Sequence, residues 1–248
     1  LDRNEMELHY QPIISMRDRT ISGFEALLRW RHRTRGAISP NEFIPLAEET
    51  GLIYELGQWV LMQACEQIAI WNQNKNEEEQ LEISINLSSR QFSDPNLVEG
   101  IIENIKESGF NAECLKLEIT ESALMQNAQR SVNMLNQLKN LNIKVCVDDF
   151  GTGYSSLSYL HTFPIDTLKI DRSFVHDMSR NYRNMEIIRT IIMLAHNLKL
   201  DVIAEGVETA EQYAQLSALG CQFAQGFYFA RPVNKDDATF LIRQNQKW

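Results

Sequence analysis

The chain has 248 residues, 44% hydrophobic and 23% charged, an ordinary globular composition that supports one sizeable core and excludes a disordered or collagen-like chain. Its 33 acidic residues outnumber 24 basic ones, and the formal charge of −9 is a poor match for duplex nucleic acid or an anionic membrane, so a metal ion would have to mediate contact with phosphates. No apolar run nears the ~20 residues needed to span a bilayer and the N-terminus lacks a signal-peptide layout, so we expect one cytoplasmic domain over residues 1–248, without membrane contact of its own, excised from a longer chain that could be anchored elsewhere.

Residues 8–14 and 21–30 are apolar, β-leaning runs joined by a short polar turn around Arg17 and Asp18. That link is too short for a crossover helix, so the two strands are expected to form an antiparallel hairpin, with Gln11 opposite Phe24 and Glu25. Ser39-Pro40-Asn41-Glu42 has the form of a capping box with proline at the first helical position, predicting a helix through Glu49; a longer one follows over 53–71. The polar stretch 72–80 reads as a solvated loop. Strands are then expected near 82–87, 115–120, 143–149, 167–171, 201–205 and 221–226. Helices fill the gaps near 95–108, 127–140, 184–198, 209–219 and 235–244, with a short helical piece at 155–161. This alternation implies a mostly parallel sheet, and eight strands in this length imply closure into a (β/α)8 barrel of TIM type; an open doubly wound sheet is the alternative.

Cys65, Cys114, Cys146 and Cys221 form no C-x-x-C pair, and the five histidines show no ligand-like spacing, so metal chemistry here would have to use oxygen. Alternate residues of a strand face opposite sides. Ile83, Ile85 and Leu87 therefore oppose Ser84 and Asn86, and the same split recurs for Glu118, Asp148, Lys169 and Glu205. With Gln225, six strands end in one inward polar group at the mouth where parallel barrels carry their active sites. Any one of these alone reads best as part of a solvated rim; six alike do not. Glu25 and Asp149 bring the carboxylates around the opening to five, with Glu118, Asp148 and Glu205. Such a cluster repels itself unless a divalent cation neutralises it, and an all-oxygen donor set favours Mg²⁺ or Mn²⁺ over Zn²⁺. The adjacent pair Asp148-Asp149 suits two ions ~3.5–4 Å apart, as in two-metal phosphoester hydrolysis. Arg29, beside Glu25 on its strand, is placed to clamp a phosphate, whereas Arg31, Arg33 and Arg35 read as a solvated loop.

The runs Glu25-Ala26-Leu27-Leu28-Arg29-Trp30, Asn86-Leu87-Ser88, Leu117 to Ser122, Asp148 to Leu157, Leu168-Lys169-Ile170-Asp171, Ala204 to Glu208 and Gln225-Gly226-Phe227 stand in the order of an EAL domain, which the chain resembles over essentially its whole length. The resemblance implies a modified TIM barrel with an antiparallel first strand and a phosphodiesterase opening cyclic di-GMP to linear pGpG. It also implies roles: Glu25, Asn86, Glu118 and Asp148 as ligands of one metal, with Asp148, Asp149 and Glu205 serving a second. Lys169 would position and polarise the attacking water, and Glu205 is also a candidate proton acceptor. Glu121 would anchor the Asp-Asp-Phe-Gly loop, and Gln11, Arg29, Gln225 and Glu208 would contact the dinucleotide. The partners implied are cyclic di-GMP, a second copy of the chain paired through helices near that loop, and fused sensor or cyclase domains. The alternatives are a silent cyclic di-GMP receptor, a form that usually lacks several of these acidic or lysine positions, and an unrelated barrel metalloenzyme acting on a small acid.

Overall fold

The computed structural model describes residues 3–153 and 160–248. Strands β1 (Met6–Ser15) and β2 (Thr20–His32) form the expected hairpin, with Gln11 opposite Glu25 and a bulge at Ile13/Ile14. A three-residue strand, β3 (Gly36–Ile38), extends β2 outside the main ring. The remaining strands are β4 (Glu82–Leu87), β5 (Leu115–Thr120), β6 (Lys144–Phe150), β7 (Thr167–Ile170), β8 (Asp201–Ala204) and β9 (Phe223–Ala224). From β2 through β4 to β9 all pairings are parallel, and β1 is antiparallel to both β2 and β9. Because β1 bridges the two ends of that run, eight strands close into a barrel and the open-sheet alternative is excluded.

The helices are α1 (Pro40–Thr50), α2 (Ile53–Asn72), α3 (Ser89–Phe92), α4 (Leu97–Ser108), α5 (Glu121–Met125), α6 (Ala128–Asn140), α7 (Arg172–His176), α8 (Tyr182–Leu198), α9 (Ala210–Ala218) and α10 (Lys235–Gln244). Thr209 caps α9 in a reciprocal box with Gln212. At α1 the expected box does not form: Ser39 makes no side-chain cap bond, and its carbonyl instead accepts from the Glu42 amide at 2.9 Å. Helix α4 starts at Leu97 with Asn96 as cap, not at Pro95, because Asp94 turns its carboxylate onto the Asn96 amide. The strand expected over 221–226 shrinks to two residues, and the helical piece at 155–161 falls largely outside the described residues. The short helices α3, α5 and α7 and strand β3 were not anticipated, since pieces of three to five residues carry no readable periodicity.

The strand parity holds. Ile83, Ile85, Leu115, Leu117, Val145, Val147, Leu168, Val202 and Ala204 lie in the core continuous with the inner faces of the helices. The interior of the barrel is polar along much of its length. Near its floor Glu82 pairs with Lys116 at 2.8 Å and with Lys144, and the Lys116 ammonium lies 5.9 Å from the ring centre of Phe223. These ion pairs lie at the bottom of the barrel, and the inward polar groups further along the same strands stand toward the C-terminal mouth. No helix among the described residues is long and apolar enough to cross a membrane.

Candidate active site

At the mouth Lys169 is 1% exposed and its ammonium sits among carboxylates: 2.6 Å from Glu118, 3.1 Å from Glu25 and 3.7 Å from Asp148. Glu25 accepts two further hydrogen bonds at 2.6 Å, from Asn86 on one oxygen and from Gln225 on the other. Gln225 also donates to the Gln11 side-chain oxygen at 3.0 Å, and Gln11 in turn donates to the Ala230 carbonyl at 3.3 Å. Six residues from five strands and the loop after β9 thus meet around one ammonium, and four of them, Asn86, Glu118, Asp148 and Gln225, belong to the set that strand parity turns inward. Asn86 forms the exposed lip of this pit, and the others lie deeper.

The adjacent carboxylates Asp148 and Asp149 need more than a regular strand, which would turn them to opposite faces. Here β6 carries one extra residue between Val147 and Phe150 relative to β7, and Asp149 takes a left-handed conformation, φ 54°. Asp149 also donates its amide to the Asp148 carboxylate at 2.9 Å. The bulge leads into Gly151, whose amide donates to the buried Glu121 at 3.2 Å, so Glu121 touches the loop it was expected to hold.

Charge is not balanced in the pit. Burial pushes the Glu118 carboxyl up to about 8, with Glu25 and Asp148 adding to it against Lys169. Burial likewise raises Glu205 to about 7, aided by Glu25, Asp148 and Asp171. Asp149 is raised by burial and then by Asp148 and Asp171. Glu25 resists burial because Lys169, Gln225 and Asn86 outweigh it, leaving its carboxyl below the usual range. Glu25 therefore favours its charged form, while burial and neighbouring carboxylates favour the neutral form of Glu118, Glu205 and Asp149.

As the side chains stand, no group of three or more His, Cys, Asp or Glu among the described residues is arranged to hold a metal ion. The geometry explains this: the oxygens of Glu25, Glu118 and Asp148 are turned onto Lys169. The donor set nonetheless fits a hard divalent cation. It is entirely oxygen, it carries excess negative charge, and one Glu118 oxygen is buried with no partner.

This imbalance has a measurable consequence. Glu118 and Glu205 bind protons more tightly when folded than when unfolded, so the chelator-treated protein should lose stability as pH rises from about 5 to about 8. Glu25 shifts the other way and acts only below that window, and Lys169, raised well above its usual value, acts only above it. Melting temperatures in chelator should fall across this range; a flat profile would show that the excess charge is not felt.

Two further expected site residues lie outside the pit. Arg29 is half-buried, donates to the Leu28 carbonyl at 3.0 Å, and lines with Asn86 a largely apolar cavity of about 250 Å³ between β2, β4 and helices α1 to α4. Glu208 is exposed and lines a separate polar pocket with Arg172 and Gly206. Sequence reading passed over Arg172 and Gln212. The readable signals were Asp171, an N-cap directly after a strand, and the Thr209-x-x-Gln212 box.

Residues 1–232 match the EAL domain family model. The chain is 45% identical over 236 residues to an uncharacterized signaling protein of Caulobacter vibrioides, covering 95% of this chain and 28% of the relative. It is 42% identical over 230 residues to the cyclic di-GMP phosphodiesterase NbdA of Pseudomonas aeruginosa, covering 93% of this chain and 29% of the relative. Among solved structures, the PaMucR phosphodiesterase in complex with cyclic di-GMP superposes with a TM-score of 0.92 at 40% identity, over 96% of this chain and 95% of that one. The chain thus spans under a third of the length of those two curated relatives.

Proposed function

The chain belongs to the EAL domain family, and from that premise we propose that it hydrolyses cyclic di-GMP to linear pGpG with the help of divalent cations, Mg²⁺ or Mn²⁺, in two positions. The observation that carries this reading is the pit itself: a buried ammonium ringed by three carboxylates, Glu25, Glu118 and Asp148, more negative charge than it can balance alone. Glu25, Asn86, Glu118 and Asp148 would hold one ion, and Asp148, Asp149 and Glu205 the other. Bound there, the ions supply Lewis-acid polarisation of the phosphoryl oxygens and a more acidic bound water.

The chain's own groups do the rest. Lys169, with three donors and no freedom to leave the pit, orients the attacking water and stabilises negative charge growing on the phosphoryl oxygens. Glu205, which sits at the mouth beside these groups, would as a carboxylate accept that water's proton. The water oxygen joins phosphorus, one bridging ester oxygen leaves and is protonated, and a linear dinucleotide results. Gln11 and Gln225 reach the ring of the substrate from the β1 and β9 side, Arg29 from the β2 side and Glu208 from the loop after β8.

The receptor form usually lacks several acidic or lysine positions, whereas here every one in the motif is present and four of them, Glu25, Glu118, Asp148 and Lys169, converge. The test is incubation of the chain with cyclic di-GMP and Mg²⁺ or Mn²⁺, followed by chromatography. We expect pGpG, its loss in excess chelator and its return on adding metal; cleavage undiminished in chelator would sink the metal-dependent reading. Pairing of two copies near Gly151, and fusion to sensor or cyclase domains, belong to the same proposal; sedimentation with substrate and metal present would read the pairing.

A further inference from the structure

Behind the pit, on the outer side of the barrel wall, lies the largely apolar cavity of about 250 Å³ that Arg29 borders. Strand parity fixes where it sits. Leu28, Ile85 and Leu117 line it, and each has the helix-facing parity of its strand, opposite to Arg29, Asn86 and Glu118. Helix α2 closes it with Leu56, Val60 and Leu61, and α4 with Leu97 and Ile101. A phosphodiester over the pit lies on the other side of that wall, so the proposed reaction leaves this aliphatic space unexplained.

The hydrophobic core is interrupted at the same place. Along α2, Ile53 and Leu56 pack with Ala47 in a small cluster of their own, joined by Ile44 and Met6, whereas Val60 and Leu61 belong to the main core. One helical turn separates Leu56 from Val60, and the cavity is lined by members of both clusters. Its lining lacks dispersion partners on one side, and water is a poor substitute where so few polar groups can hold it. An apolar occupant restores the missing contacts.

One end of the cavity is charged. Arg29 is half-buried there, and among the described residues no carboxylate lies within 4 Å of its guanidinium, which donates to the Leu28 carbonyl at 3.0 Å. A guanidinium has five N–H donors in a planar fork, so most of this one is unspent. That fork matches a carboxylate with two parallel hydrogen bonds. An aliphatic space ending in an unpaired guanidinium describes an anionic amphiphile.

We propose that the cavity binds a medium-chain fatty acid, with its carboxylate on Arg29 and its tail between the barrel wall and helices α2 and α4. Size sets the length. An apolar cavity of ~150 Å³ takes benzene, so one of about 250 Å³ holds a chain of about eight to ten carbons. Arg29 is also the residue assigned to the dinucleotide from the β2 side, so an occupied cavity withholds it from cyclic di-GMP and the acid inhibits. That inhibition rests on the phosphodiesterase reading; the binding does not.

The test is calorimetric titration of the whole chain with hexanoate, octanoate, decanoate and dodecanoate, each below its micellar concentration. We expect affinity to rise roughly tenfold for every two carbons up to decanoate and then to level off, because a filled cavity has no room for further methylenes. Ile101→Phe, which adds bulk from α4, should weaken decanoate about tenfold or more and leave hydrolysis of cyclic di-GMP unchanged; Leu61→Phe adds bulk from α2 and serves if the first variant does not fold. Affinity that keeps climbing through dodecanoate, or that neither filling variant lowers, marks adsorption on the surface and overturns the site. Decanol binding the parent as tightly as decanoate overturns the placement of the head on Arg29. Decanoate at ten times its dissociation constant should raise the KM for cyclic di-GMP in Mg²⁺ about tenfold at constant kcat in the parent and not in Ile101→Phe, and an unmoved KM overturns the competition. A parent that shows the chain-length plateau but releases no pGpG in Mg²⁺ or Mn²⁺ breaks the hydrolase reading and leaves the fatty-acid site standing.

Discussion

A chain carrying Asp148→Asn is expected to fold like its parent and to lose turnover of cyclic di-GMP by ~10³-fold or more, on the order of 4 kcal/mol in the barrier. Asp148 is the one carboxylate that both proposed ion positions share, so its charge is felt twice. In the folded chain without metal it is weakly committed: it stands 3.7 Å from Lys169 and accepts the Asp149 amide, a bond that asparagine can keep through its own oxygen. The melting temperature should therefore stay within a few degrees of the parent. Turnover within tenfold of the parent at saturating Mg²⁺ or Mn²⁺ would remove Asp148 from the reaction, and a collapsed melting temperature would make its role structural.

Lys169→Met should show a different signature. It too should lose turnover, by ~10²–10³-fold for a missing charge stabiliser. It should also destabilise the metal-free chain by ~3–5 kcal/mol, because Glu25 and Glu118 would be left buried without their shared cation. Mg²⁺ or Mn²⁺ should then raise its melting temperature more than it raises the parent's, since the ion would supply the missing positive charge without competing against an ammonium. Thermal melts with and without metal decide this. Equal metal-induced shifts in parent and variant would show that Lys169 and the ions do not share the same carboxylates.

Much of this site is legible in the amino-acid order alone. The two-residue alternation in 83–87, 115–119 and 145–148 places Asn86, Glu118 and Asp148 on one side of their strands, and that is a local property of any β-strand with one apolar face. The hairpin pairing of Gln11 with Glu25 is equally local, set by a short turn. The strands 82–87 and 115–120 carry the bounds expected of them because each is a buried run flanked by turn residues.

Closure of the barrel, the bulge at Asp149 and the distribution of protons were decided only in three dimensions. Lys169 meets Glu118 across 51 residues and Glu25 across 144, and Gln225 meets Glu25 across 200. No periodicity reports such distances, because it records which face a residue takes and not which neighbour closes over it. The parity argument would assign Asp148 and Asp149 to opposite faces, and only the extra residue relative to β7 reconciles them. Which carboxyl is raised depends on burial and on how many donors it meets, so Glu25, which also accepts from Asn86 and Gln225, and Glu118, alike in sequence terms, shift in opposite directions. The pocket around Arg172 has the same origin: its residues come from the α7 segment and the loop after β8, which only the pairing of β7 with β8, and the side chain of Gln212, bring face to face.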